Sequence, residues 1–483
     1  MRVRARDGKA AASSTIAVAS LALALAACSN STTSSTGSAA SQSAAGAPSA
    51  TGSSASATTS PSDSSTGSPT GSPTGSPTGS PAADPASISG DLTWWDTSDP
   101  KNEAPAFQAL IKKFNEKYPN VKINYQSVPF GDTQNKFQTA AAAKAGAPDI
   151  LRADVGWVAQ FASLGYLFQL DDTALTADAS DFLAAPEAST KFDGKTYGVP
   201  QVTDSLALLY NKALFKKAGL DPANPPKTWA DVKSAAAALQ SKAGAKAIYI
   251  NSAGYFVLPF IYGEGGNLLD TDAKKITVNS PESLKGLGIA ADMVKSGVAV
   301  KPPAQDSYGT MMTLFKEQKV AMIINGPWEI NNIRSATTFG GIDNLGIAPV
   351  PAGSVKAGAP VGGHDYVVWS GMDPAKAPAA IAFISFMASA ESQAFLADKL
   401  GLLPTRKSAY DNPMVKSNAV ISAFQPVMAT AVDRAWIPEA GNLFGPLDEA
   451  AAKVLVSGAD PKSALDTVAT KYKSDVVKNY SAQ

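Results

Sequence analysis

Residues 92–125 read LTWWDTSDPKNEAPAFQALIKKFNEKYPNVKINY and set the fold class. The first four residues form a short apolar run, and the last five alternate between apolar and polar, as strands do. Between them, apolar residues recur at the spacing of one helix face: Phe107, Leu110, Ile111 and Phe114. A strand–helix–strand unit predicts a parallel strand pair with a crossover helix.

The same alternation continues to the end of the chain. Further strands are expected at residues 149–151 and 247–250, and helices are expected to begin at Thr228 and Ser280. Thr228 opens a capping-box-like sequence, and Ser280 is followed by Pro281 at the first helical position. From Ile88 onward there are nearly 400 residues, enough for two lobes. We therefore predict an α/β fold with doubly wound parallel sheets and a ligand at the carboxyl ends of the strands.

The first 27 residues have the pattern of an exported protein's leader. Four basic residues within the first nine precede an apolar run from residue 15 to 27, and Cys28 follows. This pattern predicts a signal peptide over residues 1–27, because the run is shorter than the roughly 20 residues that a membrane span needs. Residues 25–28, LAAC, resemble a bacterial lipobox, which predicts that Cys28 is acylated and anchors the chain to the extracellular face of the cell membrane.

Residues 28–87 differ in composition from the rest of the chain. Ser, Thr, Gly, Ala and Pro make up almost all of them, and Gly-Ser-Pro-Thr repeats between residues 67 and 81. Such a segment has too little apolar surface to offset the entropy of ordering, so we predict a disordered linker with a reach of roughly 40–45 Å. The composition suits both a leash and an O-glycosylated stalk, and it does not separate the two.

Composition excludes several classes of protein. Cys28 is the only cysteine and His364 the only histidine, so intrachain disulfides and clustered Cys/His zinc sites are excluded, and we expect no metal and no cofactor. The net charge is zero, and removing the leader with its four basic residues and Asp7 leaves about −3. Without a basic block, nucleic acid is not an expected partner. We expect a monomer.

Three segments carry a resemblance to a known family. They are residues 199–212 with PPKTW at 225–229, residues 315–328 ending in NGPW, and residues 377–406 ending in LPTR. They resemble extracellular solute-binding proteins of ABC importers, in particular the family that contains the maltose-binding protein, and the resemblance covers the chain from about residue 90 to its end. The resemblance implies a two-lobed periplasmic-binding-protein-like fold, with a sugar and the importer's permease subunits as partners.

The resemblance also implies how the chain is divided. Lobe one would comprise residues 88–202 and 361–408, and lobe two residues 203–360 and 409–483. Hinge crossings would lie near residues 202–204, 361–363 and 407–411. Gly362 and Gly363 suit a hinge, since glycine tolerates large changes in backbone dihedral angles.

A sugar site needs aromatic planes for the flat faces of the rings and carboxylates or amides for the hydroxyls. Residues of these types follow the predicted strands or lie in late loops: Trp95, Asp96, Asp99, Asp154, Trp157, Asp204, Tyr255, Trp328, Trp436 and Phe444. In the resembled family, aromatic residues at the positions of Tyr255 and Trp328 stack on sugar rings, and a carboxylate at the position of Asp204 binds hydroxyls.

Some of these candidates have structural alternatives. Trp328 would otherwise fill a lobe core, Asp204 would cap the hinge, and Asp96 or Asp99 would cap the following helix. Trp94 and Trp95 point to opposite faces of one strand, and we expect Trp95 to face the cleft.

Two other residues are expected outside the ligand contacts. Trp229 is expected to be a packing residue. His364 has no nucleophile motif or second ligand near it in sequence, so we expect a hydrogen-bonding surface or cleft residue without a catalytic role.

Function is expected to be binding without chemistry, and the favoured ligand is an oligosaccharide such as a maltose-type glucoside. A polyamine remains an alternative, since aromatic rings and carboxylates also cage amines. Ferric iron is disfavoured because no adjacent tyrosine pair is present. A secreted glycan hydrolase would need two carboxylates roughly 5–10 Å apart, which Asp96 and Asp99 would have to supply.

Overall fold

The computed structural model describes residues 84–482. The predicted signal peptide, the lipid-anchor residue Cys28 and the predicted linker up to residue 83 lie outside that range and stay predictions.

The described strands follow the predicted ones closely and add several more. Their bounds are β1 Gly90–Asp96, β2 Val121–Ser127, β3 Ile150–Asp154, β4 Lys191–Phe192, β5 Lys195–Thr196, β6 Gly198–Ser205, β7 Ala207–Asn211, β8 Lys246–Tyr249, β9 Leu269–Asp270, β10 Lys275–Ile276, β11 Ala299–Val300, β12 Val320–Asn325, β13 Leu345–Pro349, β14 Ala359–Val368 and β15 Ala431–Val432.

Helices separate most of these strands. Their bounds are α1 Ala104–Lys117, α2 Phe130–Ala143, α3 Val158–Ser163, α4 Ala184–Ser189, α5 Lys212–Ala218, α6 Trp229–Ala238, α7 Gly254–Gly263, α8 Pro281–Lys295, α9 Ser307–Lys316, α10 Ile330–Ser335, α11 Ala377–Met387, α12 Ala390–Leu400, α13 Pro413–Lys416, α14 Ala419–Met428, α15 Phe444–Ser457 and α16 Pro461–Lys471.

The strands form two main sheets of mixed direction. The first has the order β15-β14-β3-β1-β2, with β6 also paired to β14, and the second has the order β11-β8-β12-β7-β13. In the first sheet β1 is parallel to β2 and β3, while β14 is antiparallel to β3 and β6. In the second, β8 is parallel to β11 and β12, while β7 is antiparallel to β12 and β13.

The prediction of all-parallel sheets is therefore wrong for β14 and β7, although the α/β fold class is confirmed. β6 passes into β7 across the single residue Leu206, so one continuous path joins the two sheets. The direction of β7 is therefore set by its direct connection to β6. Only the strands joined by crossover helices obey the parallel rule.

Each sheet has its own core. Trp94 is fully buried beside Phe107 in the first, and Trp229 stacks on Phe260 in the second with ring centroids 3.9 Å apart, which confirms the packing role expected for Trp229. Thr228 forms the predicted capping box with Asp231. Within residues 84–482 no single helix has the length and apolar character to cross a membrane, although the bent pair α11–α12 passes on length and composition.

Candidate functional site

The paired strands β6 and β14 meet where the chain passes between the sheets. Gly362 and Gly363 of β14 lie opposite Asp204 and Thr203 of β6. A side chain at Gly362 would collide with the Asp204 carboxylate and would lie against the Tyr255 hydroxyl. Gly363 has a φ of 134°, which favours glycine. The two glycines thus leave room for Asp204 and Tyr255 to come together at the crossing.

Asp204 is a buried carboxyl group, 7% exposed. Burial, followed by the nearby charge of Asp154, raises the pKa of Asp204 to about 7, against the opposing effect of Arg152 and Arg434. Near neutral pH the protonated and ionised forms therefore coexist, and between them they donate and accept hydrogen bonds, as a sugar hydroxyl does.

Five aromatic side chains run in sequence along the part of the cleft built on the second sheet. They form the aromatic row: Trp328, Tyr308, Phe256, Tyr255 and Phe444. The Trp328 indole N–H donates to the Tyr308 hydroxyl at 2.7 Å. The ring centroids are 5.8 Å apart for Tyr308 and Phe256, 5.8 Å for Phe256 and Tyr255, and 6.1 Å for Tyr255 and Phe444. Tyr308 and Phe256 were not predicted, because both lie inside apolar helical patterns that look like core.

Trp328 is held in place from several sides. Its ring lies over Gly326, where a side chain would collide with it. Tyr308, which accepts its N–H, donates in turn to Glu329 at 2.7 Å. Asn102, from the loop after β1, donates to the Trp328 carbonyl at 2.9 Å. The Trp328 residue is half-buried and packs against the cores of both sheets, so it lies between them and does not plug either core.

An ion pair lies at the Phe444 end of the aromatic row. Arg434 donates to the Asp154 carboxylate at 3.1 Å, and the Gly156 N–H donates to the same oxygen at 2.7 Å. The guanidinium also lies 5.1 Å from the Phe444 ring centroid. Arg434 was missed because it comes from an irregular segment far from Asp154 in sequence. We call the aromatic row with Arg434 the second wall.

The opposite side of the cleft, the first wall, is built on the first sheet from Asp154, Trp157, Phe130, His364 and Asp204. Trp157 is buried and packs against Phe130, with ring centroids 5.1 Å apart at 31°. Phe130 is 49% exposed and its ring lies 6.0 Å from the His364 ring, edge to face. Phe130, at the start of α2, was not predicted from the sequence.

Three predicted ligand residues have hydrogen bonds within the first sheet and its loops, and their contact with a ligand stays a prediction. Trp95 is 4% exposed and donates its indole N–H to Gln126 at 3.0 Å. Asp96 is fully buried and accepts from the Tyr125 hydroxyl at 2.8 Å. Asp99 is exposed and accepts the backbone N–H groups of Lys101 and Asn102 in the loop that leads into α1, at 2.9 and 2.6 Å. Asp99 thus stabilises the turn before α1, whose N-cap is Glu103.

The last two predicted ligand residues in the chain, Trp436 and Phe444, are placed differently. Phe444, the first residue of α15, is part of the aromatic row. Trp436 is half-buried two residues after Arg434, and its ligand contact stays a prediction.

Beneath the first wall lies a second buried arginine. Arg152 donates to Gln201 at 2.7 Å and to Thr97 at 3.2 Å, and it lies 3.8 Å from Asp96. Burial raises the pKa of the neighbouring Glu103 to about 7, against the lowering effect of Arg152. Among the described residues, no group of three His, Cys, Asp or Glu side chains is placed to hold a metal ion.

Two α/β lobes, joined by crossing strands with aromatic and acidic side chains at the junction, define the class of two-lobed binding proteins. The sequence profile of a family described as bacterial extracellular solute-binding protein matches residues 109–423. The chain belongs to this family.

Individual relatives cover most of the described chain. The GacH receptor of Streptomyces glaucescens, solved unliganded and with acarbose and an acarbose homolog, is 41% identical, covering 82% of this chain and all of that one with a TM-score of 0.78. A maltotriose-binding protein of Pyrococcus abyssi is 26% identical over 81% of this chain and 83% of its own length. A periplasmic sn-glycerol-3-phosphate-binding protein of Escherichia coli is 29% identical over 63% of this chain and 72% of its own.

Proposed function

We propose that this chain captures a maltodextrin-type oligosaccharide in the cleft and delivers it to the permease subunits of an ABC importer, without catalysing a reaction. The observation that carries the proposal is the aromatic row. Trp328, Tyr308, Tyr255 and Phe444 are half-buried, and their rings are tilted to one another along the row, so they offer separate apolar surfaces to more than one sugar ring. The relatives named for maltotriose and solved with acarbose support the same ligand class.

Asp204 and Arg434 add hydrogen-bonding groups beside the aromatic row. Asp204 lies beside Tyr255 at the crossing strands, and Arg434 lies against Phe444 at the end of the row. A sugar stacked on the rings therefore has charged hydrogen-bond partners beside its edges, where its hydroxyl groups project. The relatives named for maltotriose and solved with acarbose favour a sugar over a polyamine.

Delivery requires that the permease distinguish the ligand-bound protein from the empty one. Contacts between the two sides of the cleft, Asn102 with Trp328 and Asp154 with Arg434, define a closed arrangement. A ligand that contacts both walls binds the closed arrangement more tightly than the open one and so stabilises it. The permease would then recognise the closed form.

A hydrolase is not supported by the carboxylates that it would use. The pair considered for that role, Asp96 and Asp99, is unsuited to flank a glycosidic bond, because Asp96 is fully buried and Asp99 stabilises the turn before α1. We therefore propose a binding protein and expect no cleavage of oligosaccharides.

Titration calorimetry of the purified chain with maltose, maltotriose, acarbose and putrescine tests the ligand class. We expect maltotriose or acarbose to bind, putrescine not to bind, and the melting temperature to rise with sugar concentration by mass action. Solution scattering should show a more compact folded part in the complex. Binding of putrescine alone, or tight sugar binding without compaction, would contradict the proposal.

The attachment to the membrane is tested separately. Replacing Cys28 by Ser removes the thiol that would be acylated, so the protein should move from the membrane fraction to the medium. Its affinity for maltotriose should stay the same, because the anchor lies outside the binding fold. A Cys28→Ser protein that remains in the membrane fraction would show that Cys28 is not the anchor.

A further inference from the structure

His364, the only histidine of the chain, is a half-buried residue of β14. Both of its ring nitrogens are shielded from solvent, and neither has a hydrogen-bond partner among residues 84–482. Within that range it is the only side chain with two such unpartnered atoms. Buried polar atoms are almost always hydrogen-bonded, so an imidazole with two orphaned nitrogens calls for an explanation.

The position of His364 is at the junction of the two walls. It lies directly opposite Asp154 of β3, and two residues before it on the same strand Gly362 leaves room for Asp204 and Tyr255. The half-exposed ring of Phe130 lies edge to face beside the imidazole, 6.0 Å away.

The protonation state of the His364 imidazole restricts which ligand groups it can hydrogen-bond. Burial, followed by the positive charges of Arg152 and Arg434, holds the pKa of His364 well below its usual value, so the imidazole is neutral. A neutral imidazole offers one N–H donor and one acceptor nitrogen. A sugar hydroxyl can satisfy either nitrogen, since it both accepts and donates, whereas an ammonium group can satisfy only the acceptor.

We infer that His364 is a specificity-determining ligand residue, whose imidazole hydrogen-bonds a hydroxyl group of the bound sugar while Phe130 covers the same sugar unit from the side. This reverses the expectation from the sequence that His364 lies outside the ligand contacts. The inference rests on the proposed sugar-binding function.

Nitrogen-15 NMR tests the contact directly. Labelling histidine in the full chain, purified without a histidine tag, gives signals from one imidazole only. Adding maltotriose should shift at least one ring nitrogen, because a new hydrogen bond changes its shielding. If calorimetry shows maltotriose bound while both nitrogen signals stay unchanged, the inference is overturned.

Variants measure the contribution of the contact to affinity. His364→Phe keeps a flat ring without nitrogens, and we expect it to bind maltotriose about tenfold or more weakly, the effect of losing a ligand hydrogen bond. His364→Gln retains a donor and an acceptor and should recover affinity to within about threefold of the wild type. Tyr366→Phe is the matched control: it removes another unpartnered buried polar atom of β14, but in the core of the first sheet, so affinity should not change.

The outcomes separate this inference from the proposed function. If the wild-type chain binds neither maltotriose nor acarbose, both are wrong. If the wild type binds and Trp328→Ala weakens binding while His364→Phe does not, only the inference about His364 is wrong. A folding defect in His364→Phe would appear as a lowered melting temperature, and the NMR result on the wild type would then decide.

Discussion

The two buried arginine–aspartate pairs at the cleft have different surroundings. Arg152 and Asp96 belong to the first sheet, and their partners Gln201, Thr97 and Tyr125 also lie on that side. Asp154 ends β3 and Arg434 lies just after β15, with Gly156 and Phe444 beside them, and we propose that this pair spans the cleft. The first pair has more protein hydrogen-bond partners than the second.

We infer from this difference that the Arg152–Asp96 pair stabilises one lobe, whereas the Arg434–Asp154 pair links the two lobes. A buried pair held by several protein hydrogen bonds cannot rearrange around a ligand without losing those bonds. A pair that spans the cleft breaks when the lobes separate, so its energy contributes to the closed arrangement only. Four substitutions test this contrast between the two pairs and between the two walls.

The largest expected effect is on folding stability when Arg152 is replaced by Met. Removing the guanidinium leaves Asp96 as an uncompensated buried charge, and such losses cost about 3–5 kcal/mol in the free energy of unfolding. Urea denaturation measures this change. Adding Asp96→Asn should restore part of the stability, since the orphaned charge is removed as well.

Lys122→Met is the matched control for Arg152. Lys122 lies 3.9 Å from Asp91 on the same sheet, but both side chains are more than 75% exposed. Exposed ion pairs contribute little, so the free energy of unfolding should stay nearly unchanged. Equal effects of the two substitutions would mean that the network around Arg152 is not a stabilising unit.

The next largest effect is on affinity when Trp328 is replaced by Ala. Loss of a central aromatic contact costs about 2 kcal/mol of binding free energy, or about 30-fold in affinity for maltotriose. Stability should fall less, because Trp328 is only half-buried. Calorimetry and urea denaturation on the same protein provide both numbers.

Trp229→Ala is the control for Trp328. Trp229 is 3% exposed and stacks on Phe260 in the core of the second sheet. Its loss should cost about 3–5 kcal/mol in stability and change affinity only through misfolding. If Trp328→Ala behaves like Trp229→Ala, then Trp328 is a core residue and the second wall needs another platform.

The sequence brings one kind of candidate residue to notice more readily than another. Asp154, Tyr255 and Trp328 follow strands of a regular pattern, and strand ends converge by geometry. Arg434 lies on an irregular segment whose path depends on the packing of both lobes, so no local pattern reveals it. The environment of Asp96 is set by Arg152, 56 residues away, and sequence spacing does not show which charges share a buried network.

A smaller, pH-dependent effect is expected for Asp204→Asn. The pKa of Asp204 is about 7 in the folded protein and near 4 in an unfolded chain, so folding takes up a proton between these values. The stability contributed by this group is therefore present below pH 4 and is lost as the pH rises towards 7. Asn carries no charge, so the variant should match the wild type at pH 4 and exceed it by about 1–2 kcal/mol at pH 8.

Urea denaturation at pH 4 and pH 8 tests the sign. Glu103, with a pKa also raised to about 7, contributes a slope of the same sign, so the variant should retain part of the pH dependence. The gain in stability should come with weaker sugar binding, because the carboxyl group is lost from the first wall. A variant less stable than the wild type at pH 8 would show that Asp204 is favourably ionised.

The smallest expected effect concerns the link between the walls, tested by replacing Arg434 with Met. The side chains of Arg434 and Asp154 are 8% and 13% exposed, so their pair is stronger than a surface pair, yet it forms only when the lobes touch. We expect a loss of about 1 kcal/mol in binding free energy, or about fivefold in affinity, because closure gains less without the pair. Scattering should show an unliganded protein that is more open than the wild type.

The double variant with Asp154→Asn should bind better than the sum of the single effects predicts, since each single variant leaves a buried partner unpaired. Lys233→Met, which removes an exposed pair with Asp292, should leave both affinity and compaction unchanged. If Arg434→Met closes on maltotriose with wild-type affinity, the spanning pair is as passive as the pair at Arg152, and closure must be driven by the aromatic row alone.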